Sequence, residues 1–579
     1  MRFSQAIKAS SHCLPSPDGQ LIATLLPDGI HLRTVEHLDE VASVVALPAD
    51  LSVAAVVSFQ WSPSSKRLLV ATSDLLLVAA VDSPADESSF RAIVRNPTLP
   101  LTAKPTFVEF GPSDDCVCIC SAYGIKFFVY DLCTGEGVAI ENPKLFSSAA
   151  VCSRGVSFRP VSQHMALLVR TDGKDYVCIR NLARPTSASF WEPDTIDAQG
   201  LAWSPDGSWL AVWESPAHGH KILFYTPDGH LYRIWTGVTD GLSRWLPKTA
   251  SNAATLQTPP SLATGTETAA GDELLGSGVR LVQFSANARH LAAGDASRTV
   301  RIINMISMTT HERLNHPTCL RPRLGVTCPI WQEQIESVSN SNAGHRFVKA
   351  THDVSPPGRS PSGSIDSAGV SSGCTLLAFD CSSTLLATRL EEAPSTVWVW
   401  DMNTAELCGV LMVHANVSTV VWHSTQAHTL LVTCDGDKHS GLGVVWNPLK
   451  DAAPQTANFL PYLTSEHNKL SGPPSTQQTG NCRLNWLNLK GVPPSLFCSN
   501  ASKFCVVAID EDDYHGYQAT DSIPWPEADA PQATAVVGGK RWLLDERGRE
   551  ESPLELVPAD VETEGDSEIN DTFQFKKED

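Results

Sequence analysis

Three stretches of this 579-residue chain carry residue types that could do chemistry. Gly369-Val370-Ser371-Ser372-Gly373 has the spacing of an activated serine, which attacks acyl groups from a strained strand-to-helix turn. Here the serine lies in a Ser-rich stretch just before an expected strand, so the required elbow is missing. His311-Glu312 opens like a zinc-protease helix, in which two His four apart hold the metal and the Glu acts as base. The next His is His316, five positions on, and that spacing turns the imidazoles away from a common helix face. Cys116, Cys118 and Cys120 alternate, which puts three thiols on one face of a strand. None of the 16 cysteines forms a C-x-x-C pair, and buried free thiols are the reading for them. Neither a G-x-x-x-x-G-K-[ST] phosphate loop nor a G-x-G-x-x-G run occurs. The expectation is a protein without catalytic residues, cofactor or metal.

Composition points to the elements that would otherwise position such residues. Apolar residues make up 42 %, enough for a sizeable core, while charged residues are only 18 %. Low charge with 37 Gly and 39 Pro favours many short strands and turns over long helices. The net charge is −20, with no Lys/Arg run longer than two, which disfavours nucleic acid and anionic membranes as partners. Met1-Arg2-Phe3-Ser4-Gln5 leads into polar residues without an apolar segment, and Leu75 to Val81 is far short of a spanning helix. A soluble, cytoplasmic protein is expected.

A turn signature recurs along the chain. Pro15-Ser16-Pro17-Asp18-Gly19 precedes Leu21-Ile22-Ala23, and Trp61-Ser62-Pro63-Ser64-Ser65 precedes Leu68-Leu69-Val70. Looser copies start at Phe110 and Phe158. The best copy is Trp203-Ser204-Pro205-Asp206-Gly207, followed by degenerate ones at Phe284, Phe379 and Trp422. Each reads as a hairpin, with Pro pre-setting φ and Asp-Gly supplying the reversal. A third strand follows in Lys126 to Asp131, Tyr176 to Arg180, Lys221 to Tyr225, Thr299 to Asn304 and Thr396 to Asp401. The last of these ends in Trp400-Asp401, the dipeptide that marks WD repeats. Anchors fall 46, 49, 48 and 45 residues apart from 15 to 203, and 43 apart from 379 to 422. Four strands per ~40–45 residues is the period of a β-propeller blade. The fold class is therefore all-β: a WD-repeat propeller of about eight to nine blades, with a ninth around Trp486 and Phe504 to Ile509. One ring, or seven blades plus a partial second ring, both fit.

Two steps are overlong, 81 and 95 residues. The excess falls in 241–276 and about 318–370, both polar and Pro/Gly-rich, and both read as disordered loops. The propeller region spans 1–515 and an acidic tail 516–579. Residues 545–579 hold 13 acids and 4 bases, a composition that stays solvated. In the 318–370 loop, Ser355-Pro356 and Ser360-Pro361 are candidate phosphorylation sites. His316 and His414 read as structural: such a His hydrogen-bonds a strand hydroxyl and thereby orients the following Trp.

Arg170-Thr171-Asp172-Gly173-Lys174-Asp175-Tyr176 resembles a segment of the WD-repeat protein eight family, the centrosomal and spindle-pole WD-repeat proteins. Phe3-Ser4 with Ser16 to Gly19, Trp203 to Tyr225, Val300 to Pro317 and Thr388 to Asp401 agree in the same order. The resemblance implies a scaffold at spindle poles or microtubule-organising centres. It also implies a coiled-coil microtubule-anchoring protein as partner and, in fungi, a minus-end-directed kinesin. Composition and spacing alone support only a non-enzymatic propeller, and a propeller-type translation-initiation or ribosome-associated factor is the alternative to the spindle-pole scaffold. The candidate partner-binding residues are Lys174, Asp175, Tyr176, Trp209 and Trp213, expected side by side on neighbouring blades. Trp209 and Trp213 share a strand face, which suits blade packing, whereas Trp209 beside its turn could also be a rim residue. Deleting 545–579 is expected to change unfolding stability by less than ~1 kcal/mol, as urea denaturation would measure; a larger loss would mean that the tail packs on the body.

Overall fold

The computed structural model describes residues 1–48, 51–73, 75–81, 90–95, 105–146, 154–184, 188–237, 278–322, 328–336, 344–358, 373–464, 482–489 and 493–509. The chain separates into two units, Met1–Asp529 and Ala530–Asp579, and all described residues lie in the first. They form nine sheets, one per blade, antiparallel throughout except for one parallel pair in blade 7. Blades 1 to 8 have innermost strands Cys13–Pro15, Ser58–Trp61, Phe107–Phe110, Val156–Phe158, Ala198–Trp203, Val279–Phe284, Cys374–Phe379 and Val417–Trp422. Every one of the eight anchors ends such a strand. Blade 9 is composite: Arg483–Leu487, Ser495–Ser499 and Lys503–Ala508 are completed by Arg2–Phe3 and Ile7–Lys8 from the other end of the chain.

The recurring turn works through its Ser. The Ser16 hydroxyl donates to Asp18 at 2.6 Å and accepts the Leu21 N–H, and Ser204, Asp206 and Trp209 repeat the pattern. The fourth position is left-handed, with φ 75° at Gly19 and 69° at Gly207. In the degenerate copies Ser65, Ala288 and Ser383 hold that conformation at φ 57–64°, so the turn survives without its glycine at some strain. Ser62 and Ser204 are fully buried, which withholds these two Ser-Pro sites from any kinase.

Nine apolar clusters lie between the nine blades, one at each junction. Leu68, Val70 and Leu77 of blade 2 pack on Ala23, Leu25 and Leu32 of blade 1, and the series runs on around the ring. The ninth cluster returns from Phe497 and Phe504 to Cys13 and Ile22 of blade 1. The chain therefore closes as one ring of nine. Strand alternation sorts the side chains: in blade 7 Trp398 and Trp400 face blade 6, and Val397 and Val399 face blade 8. Cys116, Cys118 and Cys120 are buried together against blade 4.

The 318–370 stretch departs from expectation. Ile330–Glu336 and Gly344–Lys349 form a hairpin, and the first strand pairs in parallel with the outer strand of blade 7, Leu407–Met412. A bridge between Leu320 and Val354 fixes its base. Trp331 and Phe347 supply the reason, since both are buried against blade 8. Ser355 is exposed. Ser360, the 241–276 insertion and the tail 516–579 lie outside the described residues.

Indoles brace successive blades. Trp61, Trp422 and Trp486 each donate their Nε1–H to the innermost strand of the preceding blade, at Leu14, Ala378 and Val421, over 2.8–3.1 Å. His316 behaves as expected. Its Nδ1 lies 2.7 Å from the Arg298 carbonyl and its Nε2 2.7 Å from the Thr388 hydroxyl, which also accepts the Trp400 indole N–H at 3.0 Å. This arrangement suits a neutral ring with the proton on Nδ1. His414 does not follow suit: its side chain is exposed, and its peptide N–H instead donates to Glu333 at 2.7 Å.

Burial drives the His316 imidazole down to about 4 from 6.5, only partly opposed by its bond to the Arg298 carbonyl. The unfolded chain takes up this proton first. The stabilisation is thus complete above pH 6.5 and is lost as pH falls toward 4, by up to about 3 kcal/mol. Urea unfolding of His316→Gln is expected to give lower stability at pH 7 and a shallower loss between pH 6.5 and 4 than the parent. An unchanged slope would exclude the imidazole as its source.

Candidate functional site

The candidate residues divide between the two faces of the ring. Lys174 starts the third strand of blade 4, Lys174–Asn181, directly after the turn from His164–Thr171. Asp175 is buried, and its carboxylate receives the Lys144 ammonium at 2.9 Å and the Ala198 N–H at 2.7 Å. Lys144 also reaches Asp197 at 2.7 Å, and Arg170 reaches Asp197 at 3.0 Å. This knot ties blade 4 to the connection entering blade 5, so Asp175 is unavailable to a partner. Tyr176 is half-buried against the cluster between blades 3 and 4. Lys174 is exposed and pairs with Glu192 at 2.9 Å. Of the three, Lys174 alone could meet a ligand directly.

Trp213 is 2 % exposed and packs between blades 5 and 6. Its ring lies over Gly200, where a Cβ would come within 2.2 Å of it. Trp213 belongs to the core. Trp209 is different: it is half-buried, and its outer side meets Tyr232 at a ring distance of 4.8 Å. It precedes the second strand of blade 5, Leu210–Glu214, at the end where Trp203 faces Leu210. The Lys174 turn lies at the opposite end of its strands. Neighbouring blades run in the same sense, as the Arg159 Nε–H bond to the Gly207 carbonyl (2.8 Å) across equivalent turns attests. Trp209 and Lys174 therefore lie on opposite faces, and the side-by-side expectation fails.

The Trp209 face carries an apolar surface that the sequence did not single out. Tyr232 is 61 % exposed, Leu231 45 % and Ile306 of blade 6 86 %. Arg233 spans the junction by donating to the Ser307 carbonyl at 2.9 Å. Asp206, Asp228 and His230 border the patch, and Asp228 pairs with His230 at 3.2 Å. Tyr232 is the extra residue of a bulge, standing between Leu231, which pairs with Tyr225, and Arg233, which pairs with Phe224, and a bulge re-aims side chains in a way strand periodicity does not reveal.

A second group was missed altogether. Glu333 on the inserted hairpin lies 2.5 Å from His345 Nδ1 and 3.0 Å from His439 Nε2. Burial alone would raise the Glu333 carboxyl. Bonds from His439, the His414 peptide N–H and His345 instead hold it down, to about 2. The three residues are 12 and 106 positions apart, a spacing that matches no local motif.

Eight blades of four strands each, one of them extended by the inserted hairpin, and a ninth completed by residues 2–8 define a β-propeller of the WD-repeat type. No family model matches the chain. It is similar to WD repeat-containing protein WRAP73 of Mus musculus, at 23 % identity over 467 residues, covering 77 % of this chain and 87 % of that protein. An uncharacterized WD repeat-containing protein of Schizosaccharomyces pombe is 23 % identical over 429 residues, covering 71 % and 73 %. Among solved structures, the Dos1 propeller aligns with a TM-score of 0.42 at 7 % identity, covering 78 % of this chain and 91 % of that one. The WD-repeat relatives support a propeller scaffold with a role in protein interaction.

Trp209→Ala is expected to cost no more than about 1 kcal/mol in urea unfolding, because one side of the ring already faces out. Trp213→Ala, which empties a sealed core position, is expected to cost about 3–5 kcal/mol. Equal losses at the two positions would put Trp209 in the core.

Proposed function

We propose that this protein is a non-enzymatic scaffold at spindle poles or microtubule-organising centres. In this reading it binds a coiled-coil anchoring protein, and with it a minus-end-directed kinesin, to tether microtubule minus ends in mitosis. The reading draws on the resemblance of the Lys174-Asp175-Tyr176 and Trp398-Val399-Trp400-Asp401 segments to spindle-pole WD-repeat proteins. The observation that carries the docking role is the half-buried Trp209 packed on exposed Tyr232, with exposed Leu231 and Ile306 across blades 5 and 6. An amphipathic helix laid over that junction would insert one apolar stripe against aromatic anchors. Basic residues flanking the stripe would meet Asp206 and Asp228 on a chain of net charge −20.

Imaging of the tagged protein in its native cells through the cell cycle is the test. Paired dots at spindle poles are expected; a diffuse signal co-sedimenting with polysomes would favour the translation-factor alternative. Trp209→Ala and Tyr232→Ala are each expected to weaken capture of the coiled-coil partner by about 30-fold, equivalent to about 2 kcal/mol. Undiminished capture by both variants would move the docking surface elsewhere on the ring.

A further inference from the structure

We infer that Glu333, His345 and His439 form a binding site for one divalent metal ion of the zinc type, which clamps the inserted hairpin of blade 7 to blade 8. The three donor atoms lie within 4.8 Å of one another. Their side chains are only 1 %, 4 % and 5 % exposed. Two imidazole nitrogens and one carboxylate are a donor set that zinc accepts, with a fourth position left for water. The donors come from three separate segments: the two hairpin strands and the turn Asp437–His439 of blade 8. An ion bound there would add a crosslink between the hairpin and blade 8, which otherwise meet through Trp331, Phe347 and the Thr456–His345 hydrogen bond.

The donor types suit a cation. A carboxylate oxygen binds a divalent ion directly, and a neutral imidazole does so through a ring nitrogen lone pair. Coordination therefore needs each ring's proton to occupy its other nitrogen, with no proton lost from either ring. The remaining Glu333 oxygen keeps the His414 peptide N–H at 2.7 Å, which orients the carboxylate as second-shell bonds do in metal sites. Access is open from two sides. Glu333 lines a cleft of about 580 Å³ with Gln332, Ser355 and Met412, and His439 lines another of about 410 Å³ with Asp435 and Ser440.

The full chain, purified without a polyhistidine tag, would be stripped with chelator and titrated with zinc, then with cobalt as a spectroscopic substitute. One equivalent of zinc is expected to bind and to raise the melting temperature. The cobalt form is expected to absorb without a thiolate charge-transfer band, because no cysteine is among the ligands. Glu333→Gln and His345→Asn are each expected to lower affinity by about 100-fold or more while near-ultraviolet circular dichroism stays at the parent's. His345 lies on the hairpin outside the four-stranded blades, so its variant keeps the test valid if Glu333→Gln does not fold. Failure of the parent to bind zinc, a thiolate band, or unchanged stoichiometry in a folded variant would each overturn the assignment and leave a hydrogen-bonded strut.

Discussion

Each blade buries both of its faces, and this forces the ring to close. A sheet with one apolar face needs one neighbour; a sheet with two needs a neighbour on either side, and an open row of such sheets would leave two apolar faces in water. Here the last exposed faces would belong to Ile22 on one side and to Phe497 and Phe504 on the other, and these pack together. The seam is sealed by the chain's first residues. Arg2–Phe3 pairs with Val507 and Ala508, while Phe3 stacks on Tyr462 at 4.3 Å and meets Phe459 edge-on at 5.4 Å. Ser4 is buried and accepts the Val506 N–H at 3.0 Å. Closure thus joins residues some 500 positions apart, and every inter-blade brace is cooperative with it.

Much of this was legible because the turn chemistry is local. A Ser hydroxyl that caps its own hairpin and a left-handed fourth residue need only five positions, so the motif recurs even where Gly becomes Ser65 or Ala288. Third strands such as Lys126–Asp131, Thr299–Asn304 and Thr396–Asp401 were equally plain, being apolar runs at a fixed offset from the turn. Blade 9 was only half legible, because part of its pairing is supplied from residues 2–8, which carry no anchor. The same holds for His316 and His414. Both precede a blade in sequence, yet only His316 finds a hydroxyl, Thr388, placed between it and a Trp.

The candidate docking residues were harder to read, and the reason is geometric. Sequence proximity on adjacent blades does not say which end of a strand a residue occupies, and consecutive turns of one blade open on opposite faces. Lys174 follows the second turn of its blade and Trp209 the first of the next, so about one strand length separates them across the ring. Asp175 looked like a surface charge because it is flanked by Lys174 and Tyr176. Its partners, Lys144 and the Ala198 N–H, come from the segments on either side of blade 4, 31 and 23 residues away. Trp209 kept its place as a rim residue for a reason visible in its turn: it stands next to Gly207, where the chain is still outside the sheet.

The inserted hairpin tests how a polar segment can be held on an apolar scaffold. Gln332, Glu333 and Gln334 read as a loop, and the aromatic residues Trp331 and Phe347, with Ile330, argue otherwise. Trp331, Glu333, His345 and Phe347 occupy one face of the hairpin by period two, and that face meets blade 8. A slip of one residue would turn Trp331 outward and carry Glu333 away from His439 together, leaving two imidazoles without their hydrogen-bond partner. A buried carboxylate is costly unless fully bonded. Glu333 therefore contributes less to net stability than to uniqueness of register: the hairpin has one seating in which the carboxylate is satisfied. The parallel pairing with Leu407–Met412 then follows from that seating. It also covers the outer edge of blade 7, which would otherwise present unpaired peptide groups to solvent.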